Sequence, residues 1–219
     1  MALFTTCTFN LDRPLVPSKL DKFRGFIAVS HPTEPLYHGH VGDGFRYGHP
    51  LIQYKVIEGR PMILGLGEGA LALRSLGRYR CLDLGWEEFR VVGQDTVEEE
   101  FPLALSDAPV RYSFATPWLA LSEANYPRYL EVRDRTADRE NMLASILTGN
   151  ILSLAKTIGW RVQGRIKVRH GISEAGAALL KGRARLLQFE GWFEANVRLP
   201  GLWGIGKAAA RGYGTLVEK

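Results

Sequence analysis

The chain has 219 residues, of which 46% are hydrophobic and 23% are charged, and its formal net charge is +5. A chain of this length forms one large domain or two small ones, and it can bury a core without a disulfide framework or a structural metal. Its two cysteines, Cys7 and Cys81, are too few for such a framework, and no apolar run reaches the length of a membrane span. We therefore expect a soluble protein of the cytoplasm.

The first half of the chain switches between strand and helix patterns. Aromatic and β-branched residues alternate near the N-terminus, and the next segment places Leu20, Phe23 and Ile27 at helical spacing. The predicted elements are a strand over 3–11, a helix over 17–29, a hairpin over 51–66, a helix over 68–77 and a strand over 87–93. This β-α-β-β-α-β order is that of a ferredoxin-like domain.

A second set of elements begins after a stretch over 103–110 that has the composition of a linker. The predicted elements are a strand over 110–116, helices over 122–132 and 136–159, and strands over 161–171, 184–199 and 212–218. We therefore predict an α+β protein made of two tandem ferredoxin-like (RRM-like) domains, residues 1–108 and 109–219, each with an antiparallel sheet and helices on one face.

The loop after the first helix is rich in histidine. Four of the five histidines lie there: His31, His38, His40 and His49. Imidazole can give or take a proton near neutral pH. A histidine pair with a nearby Tyr47 or Lys55 suits RNA cleavage by the RNA's own 2′-hydroxyl, in which one group takes the hydroxyl proton and another protonates the leaving 5′-oxygen. This chemistry needs a cation for the charged phosphorane but no metal.

A metal site is an alternative use of the same loop. His38, His40 and Asp43 form a possible ligand set for a hydrolytic zinc ion, although the one histidine elsewhere, His170, has no carboxylate beside it. A third interpretation makes the loop histidines structural, and it suits the two that precede a proline.

Five glycines lie within fourteen residues near the C-terminus. They are Gly201, Gly204, Gly206, Gly212 and Gly214. A mononucleotide P-loop needs Ser or Thr at position 208, and a dinucleotide loop needs Gly at position 209, but both residues are alanine. The remaining interpretations are a glycine-rich hairpin without a ligand and a loop that lies against a polymeric phosphate backbone.

The charge is unevenly distributed along the chain. From Lys156 to the end there are 12 Lys/Arg and 4 Asp/Glu, a charge of +8, whereas the preceding residues carry 16 and 19, a charge of −3. This asymmetry indicates a polyanionic partner, the alternative being an ordinary solvated surface.

Several stretches together resemble a known family. They are HPLIQYKVIEGRPMILGLGEG, TPWLALSEANY, LTGNILSLAKTIG and FEANVRLPGLWGIGKAAARGYGTL, and the last contains the pattern Gly204-x-Gly206 followed by Gly212-x-Gly214. The glycine pattern resembles the C-terminal loop of the repeat-associated RAMP superfamily. The other stretches are similar to one branch of its CRISPR repeat-processing endoribonucleases.

The resemblance implies an activity and a site. The expected activity is cleavage within the CRISPR repeat, without a metal or other cofactor, that leaves a 2′,3′-cyclic phosphate and a 5′-hydroxyl. The family's recurrent histidine after the first helix maps onto His38–His40, with His40 the first candidate, His38 the second, and Tyr47 and Lys55 as helpers.

The resemblance also implies that the glycine loop approaches the RNA backbone. With the basic half of the chain, the candidate RNA-binding residues are Lys156, Arg165, Lys167, Arg169, Gly204, Gly206, Lys207, Arg211, Gly212 and Gly214. The expected partner is CRISPR repeat RNA, and an effector complex and a second copy of the chain remain open as further partners. Two alternative functions are a non-catalytic RNA-binding RAMP subunit and a metal-dependent hydrolase.

Overall fold

The computed structural model describes residues 1–38, 40–41, 44–45, 48–180 and 184–219; for 40–41, 44–45, 178–180 and 184 it describes the backbone alone. The chain divides into two compact units, one of residues 1–102 with 210–212 and one of residues 103–209 with 213–219. No helix among the described residues is long and apolar enough to cross a membrane.

The N-terminal unit is built on a five-stranded antiparallel sheet. Its elements are β1 (Ala2–Leu11), α1 (Leu20–Ser30), α2 (Pro35–His38), β2 (His40–Val41), β3 (Gly44–Phe45), β4 (Ile52–Ile57), β5 (Arg60–Leu66), α3 (Glu68–Leu73), β6 (Cys81–Asp83) and β7 (Glu88–Phe101). The strand order is β4-β5-β1-β7-β6, and β2 and β3 form a separate two-stranded ribbon. Without the short edge strand β6, this is the predicted ferredoxin-like arrangement.

The core of this unit follows from two periodicities in the sequence, the alternation of residues in strands and the helical spacing of apolar residues in α1. Alternate residues of β1, including Cys7 and Phe9, face the buried stripe of α1, which contains Phe23 and Ile27. The Phe9 and Phe23 rings meet edge to face with their centroids 5.4 Å apart. This packing fixes α1 on the sheet and therefore fixes where the loop after α1 begins.

The C-terminal unit repeats the same strand arrangement. Its elements are β8 (Leu105–Phe114), α4 (Asn125–Val132), α5 (Thr136–Thr157), β9 (Val168–Leu180), β10 (Ala184–Val197) and β11 (Leu216–Glu218). The sheet order is β11-β8-β10-β9, so the first strand of the unit is again central, between the third and the last. The second helix of the ferredoxin-like pattern is replaced by the glycine-containing segment 198–215, which includes a single helical turn at Ala209–Arg211.

The predicted linker and one predicted strand differ from the structure. Residues 105–110 belong to β8 and pair with β10, so the predicted boundary at 108/109 falls inside a strand. The strand predicted over 161–171 begins only at Val168 and continues to Leu180. The Asn196 side chain holds the preceding residues instead: its Oδ1 accepts from Lys167 N at 2.7 Å, and its Nδ2 donates to the Arg165 carbonyl at 3.1 Å.

Candidate active site

His38 is held at the end of a short helix by two contacts. It is the last residue of α2, and its carbonyl accepts a hydrogen bond of 2.8 Å from Arg24 Nη2 on α1. Its ring Nε2 lies 3.3 Å from the His31 carbonyl, which can only accept a hydrogen bond. In the neutral ring, a hydrogen bond at this position puts the proton on Nε2 and leaves Nδ1 as the acceptor.

His31 and His49 have structural surroundings. His31 Nε2 lies 2.7 Å from the Tyr79 hydroxyl, and its ring packs against Tyr37 with centroids 5.0 Å apart. His49 is buried, with Nε2 3.2 Å from Gln53 Nε2. Both rings are held inside the fold, as we expected for the two histidines that precede a proline.

The remaining loop residues are described in part or not at all. His40 pairs with Phe45 in the β2–β3 ribbon, which fixes its backbone two residues after His38. The His40 side chain, Asp43 and Tyr47 lie outside the described part of the chain. Among the residues that are described, no group of three or more His, Cys, Asp or Glu could hold a metal ion. The ligand set His38, His40 and Asp43 therefore stays a prediction.

Lys55 lies in the interior of the N-terminal unit. It is 1% exposed and sits in β4 opposite Met62. Burial disfavours the charged ammonium and lowers the pKa of Lys55 to about 7. This burial argues against direct contact between Lys55 and an RNA phosphate.

Arg24 and Arg211 lie close enough for their charges to interact, and this pairing was not predicted from the sequence. Arg24 is half-buried on α1, and burial together with the like charge of Arg211 lowers its pKa. Arg211 Nη1 in turn lies 2.6 Å from the Asp21 carboxylate, one turn before Arg24 on α1. Asp21 thus pairs with Arg211, and the second guanidinium, that of Arg24, donates to the His38 carbonyl and adds positive charge beside the histidine loop. The i, i+3 spacing of Asp21 and Arg24, off the buried stripe of α1, was the available signal.

The glycines near the C-terminus have packing reasons of their own. Gly206 has φ +87°, and a Cβ there would overlap the Trp118 indole nitrogen. Gly214 has φ +61°, and a Cβ there would overlap the Ile205 carbonyl oxygen. Gly212 has φ +84°, and its Cβ would lie 2.7 Å from Leu20 Cδ2. These glycines allow the chain to fold closely on itself, and their approach to RNA stays a prediction.

The predicted phosphate-binding side chains differ in whether their charge is already paired within the protein. Lys156, Arg165 and Lys167 are exposed and make no ion pair within the described part of the chain. Arg169 is engaged, with Nη2 2.7 Å from Glu194 Oε2. Lys207 is anchored through its backbone, which donates to the Leu119 carbonyl at 3.0 Å.

Comparison with known proteins identifies the family that this arrangement belongs to. The model of the Cas6b N-terminal domain matches residues 2–101, and that of the Cas6b C-terminal domain matches residues 104–219. An uncharacterised protein of Methanocaldococcus jannaschii is 36% identical over 142 residues, which are 64% of this chain and 92% of that relative.

Solved structures agree with these matches. A crystal structure of Cas6b is similar with a TM-score of 0.90 and 28% identity over the whole of both chains. A structure described as CRISPR RNA processing endoribonuclease Cas6b has a TM-score of 0.76 and 27% identity, again over both whole chains. Csf5, a type IV Cas6 crRNA endonuclease, covers the whole chain at 15% identity with a TM-score of 0.61, so it shares the fold.

Proposed function

The chain belongs to the Cas6b family, and from this premise we propose that it is an endoribonuclease that cuts CRISPR precursor RNA within the repeat. The observation that carries the proposal is the match of both Cas6b domain models across almost the entire chain. The histidine loop lies within the part of the chain matched by the N-terminal model, and one of its described histidines, His38, is fixed by side-chain and backbone hydrogen bonds.

The reaction we propose is attack of a 2′-hydroxyl on the adjacent phosphorus. A base takes the hydroxyl proton, the new bond from O2′ to phosphorus forms, and the bond to the 5′-oxygen breaks. An acid gives the leaving oxygen its proton, so that the products carry a 2′,3′-cyclic phosphate and a 5′-hydroxyl. His40 and His38 are the candidates for these two roles, in either order. The Nδ1 lone pair of His38 can take the proton, while His31 holds the opposite side of the ring.

Arg24 and Arg211 are the best-placed cations for the phosphorane. Arg24 donates to the His38 carbonyl in the histidine loop, and Arg211 pairs with Asp21 one turn earlier on α1, so Asp21 neutralises only one of the two. A guanidinium group offers several donors in a fixed plane, which suits the equatorial oxygens of a phosphorane. Lys55 acts at most through its neighbours, and Tyr47 remains the other candidate helper.

Binding is assigned to the basic C-terminal part of the chain. Lys156, Arg165, Lys167 and Lys207 supply phosphate contacts, and Arg169 joins them only if it exchanges Glu194 for RNA. The Gly204–Gly214 segment positions Lys207 and Arg211 by its own close packing. The substrate we infer is a transcript of the cytoplasm, so the enzyme would act there. The further candidate partners are an effector complex, which would receive the product, and a second copy of the chain, which would form a homodimer.

The proposal is tested by incubating the protein with its cognate repeat RNA in EDTA and analysing the ends of the products. We expect cleavage with cyclic phosphate and 5′-hydroxyl ends. Tight binding without cleavage would favour the non-catalytic RAMP subunit. Loss of cleavage in EDTA that zinc restores would favour a metal at His38, His40 and Asp43.

A further inference from the structure

An open groove of about 780 Å³ runs along one side of α5 in the C-terminal unit. One wall is formed by side chains of α5, and the other by the irregular segment 164–168 that leads into β9. We call this feature the α5 groove. Among the described residues, those of the histidine loop and of the glycine-rich segment are not part of its lining.

The helical wall is polar and continuous. Asn141, Ser145, Thr148 and Leu152 are spaced four, three and four residues apart, which places them on one helical face away from the buried stripe of Leu143, Leu147 and Ile151. At 1.5 Å per residue the wall is about 16 Å long. Asn141 and Ser145 make no side-chain hydrogen bond within the described chain, and the Thr148 hydroxyl donates to the Ala144 carbonyl, which leaves its oxygen free to accept.

The opposite wall carries two positively charged side chains, Arg165 and Lys167, on a backbone that is held in place by hydrogen bonds. The two hydrogen bonds from the Asn196 side chain hold residues 165 and 167, and Ile166 between them is buried. The side chains of Arg165 and Lys167 are therefore directed outward, and both are exposed and without an ion pair in the described structure. The 33 residues from Asn141 to Ser173 contain five Lys/Arg and no Asp or Glu, so nothing in this stretch neutralises the wall.

We propose that the α5 groove binds the sugar–phosphate backbone of a single RNA strand, namely unpaired nucleotides of the substrate. This inference rests on the proposed function. Arg165 and Lys167 would contact phosphates, while the Asn141 amide and the Ser145 hydroxyl can donate to phosphate oxygens and the Thr148 oxygen can accept from a 2′-hydroxyl.

The composition of the groove favours RNA over a peptide or a lipid. The described lining holds three larger apolar side chains, Leu152, Ile166 and Val168, of which Ile166 is buried. An amphipathic helix or an acyl chain would have to cover Arg165 and Lys167, which are exposed and carry no ion pair in the described structure, whereas an RNA backbone would neutralise them. No aromatic side chain of the described structure lines the groove, so bases would not stack there. Recognition is therefore expected to follow the backbone and to depend on salt.

The test compares charge reversals inside and outside the groove. Arg165→Glu and Lys167→Glu alter the groove, and Arg128→Glu, at an exposed arginine of α4, is the control with the same change of charge. Each variant is titrated with a labelled 12-mer of oligouridylate and with the cognate repeat RNA at several salt concentrations. We expect at least about fivefold weaker binding for each groove variant, with a salt slope reduced by about 0.7 per lost contact. Arg128→Glu should stay within about twofold of the wild type.

A steric variant separates the groove from general electrostatics. Ser145→Trp fills the groove without a change of charge, and Ala137→Trp, on an exposed position of the same helix outside the lining, is its control. We expect weaker binding only for Ser145→Trp, with both melting temperatures close to the wild type. If Ser145→Trp does not fold, the charge reversals decide the question.

Failure of this inference is distinguishable from failure of the proposed function. If the wild type cuts repeat RNA and Arg165→Glu and Lys167→Glu bind as Arg128→Glu does, the groove inference is overturned and the function stands. If the wild type binds but does not cut, the proposed function fails, while the binding comparison still decides whether the groove holds RNA.

Discussion

The two units share a strand order but differ in charge and in the segments that carry their functional side chains. Residues 1–102 with 210–212 carry 12 Lys/Arg and 13 Asp/Glu, whereas residues 103–209 with 213–219 carry 16 and 10. The N-terminal unit keeps its second helix, α3, and places histidines in the loop after α1. The C-terminal unit replaces that helix with a glycine-rich segment and concentrates exposed cations around α5. We infer that the same topology serves proton transfer in the N-terminal unit and polyanion binding in the C-terminal unit.

The largest expected effect is that of a substitution in the histidine loop, which tests whether catalysis and RNA binding belong to different units. His40→Ala should slow cleavage by roughly 100- to 10,000-fold, the range for a general acid or base. Affinity for repeat RNA should stay within about twofold, because a neutral imidazole adds little to phosphate binding. The measurement is single-turnover cleavage beside a binding titration.

His38→Ala sharpens the same experiment. It should cost a similar factor if His38 is the partner of His40, and much less if it only orients the loop. A large loss of affinity in either variant, with little change in the cleavage rate at saturating RNA, would contradict the separation of chemistry from binding.

The next effect concerns Arg24, which joins α1 to the histidine loop. Arg24→Ala removes both the hydrogen bond to the His38 carbonyl and a cation beside the phosphorane, so cleavage at saturating RNA should fall about 100-fold. Lys22→Ala, an exposed cation on the same helix, is the control and should change the rate little. Equal rates in the two variants would remove Arg24 from the active site.

A smaller effect is expected on the stability of the C-terminal unit. Gly206→Val forces a β-branched residue to φ +87° and against Trp118, which should destabilise the protein by about 3 kcal/mol. Gly201→Val has open space at its Cβ and should cost less than about 1 kcal/mol. Urea unfolding of both variants measures the difference. Equal stabilities would mean that the fold does not require glycine at position 206, and that its role would have to be sought in ligand binding.

The smallest effect is the pH dependence contributed by Lys55. Its pKa falls from 10.5 to about 7 on folding, so the unfolded state binds more protons between these values. Wild-type stability should therefore gain about 2 kcal/mol from this group between pH 7 and pH 9. Lys55→Met should lack that gain and should still cut RNA. An abolished cleavage rate with unchanged stability would instead place Lys55 in the chemistry.

The sequence predicted the parts of this protein that depend on local patterns. Alternation in β1 and the helical stripe of α1 are set by neighbouring residues, and so were found with their positions nearly correct. The histidine loop was visible because four imidazoles are close in sequence. By contrast, the late start of β9 depends on Asn196, 29 residues beyond Lys167.

The candidate site was harder to predict because its contacts are distant along the chain. Asp21 and Arg211 are separated by 190 residues, and no local pattern pairs them. The glycines were interpreted as a place for RNA because their spacing says nothing about Trp118 or Ile205, which occupy the space beside them. Lys55 was predicted to help in catalysis because it follows the histidines in sequence. Its burial was not predicted, because it depends on the cover over both faces of β4, whose first four residues are all buried.

The most direct test of the central claim is cleavage of a repeat RNA with a single 2′-deoxy nucleotide just upstream of the cut. If the 2′-hydroxyl is the nucleophile and the histidine loop moves its proton, this substrate should bind with unchanged affinity and remain uncut at that position. Cleavage of the deoxy substrate at the same bond would contradict the account, because water would then have to attack the phosphorus.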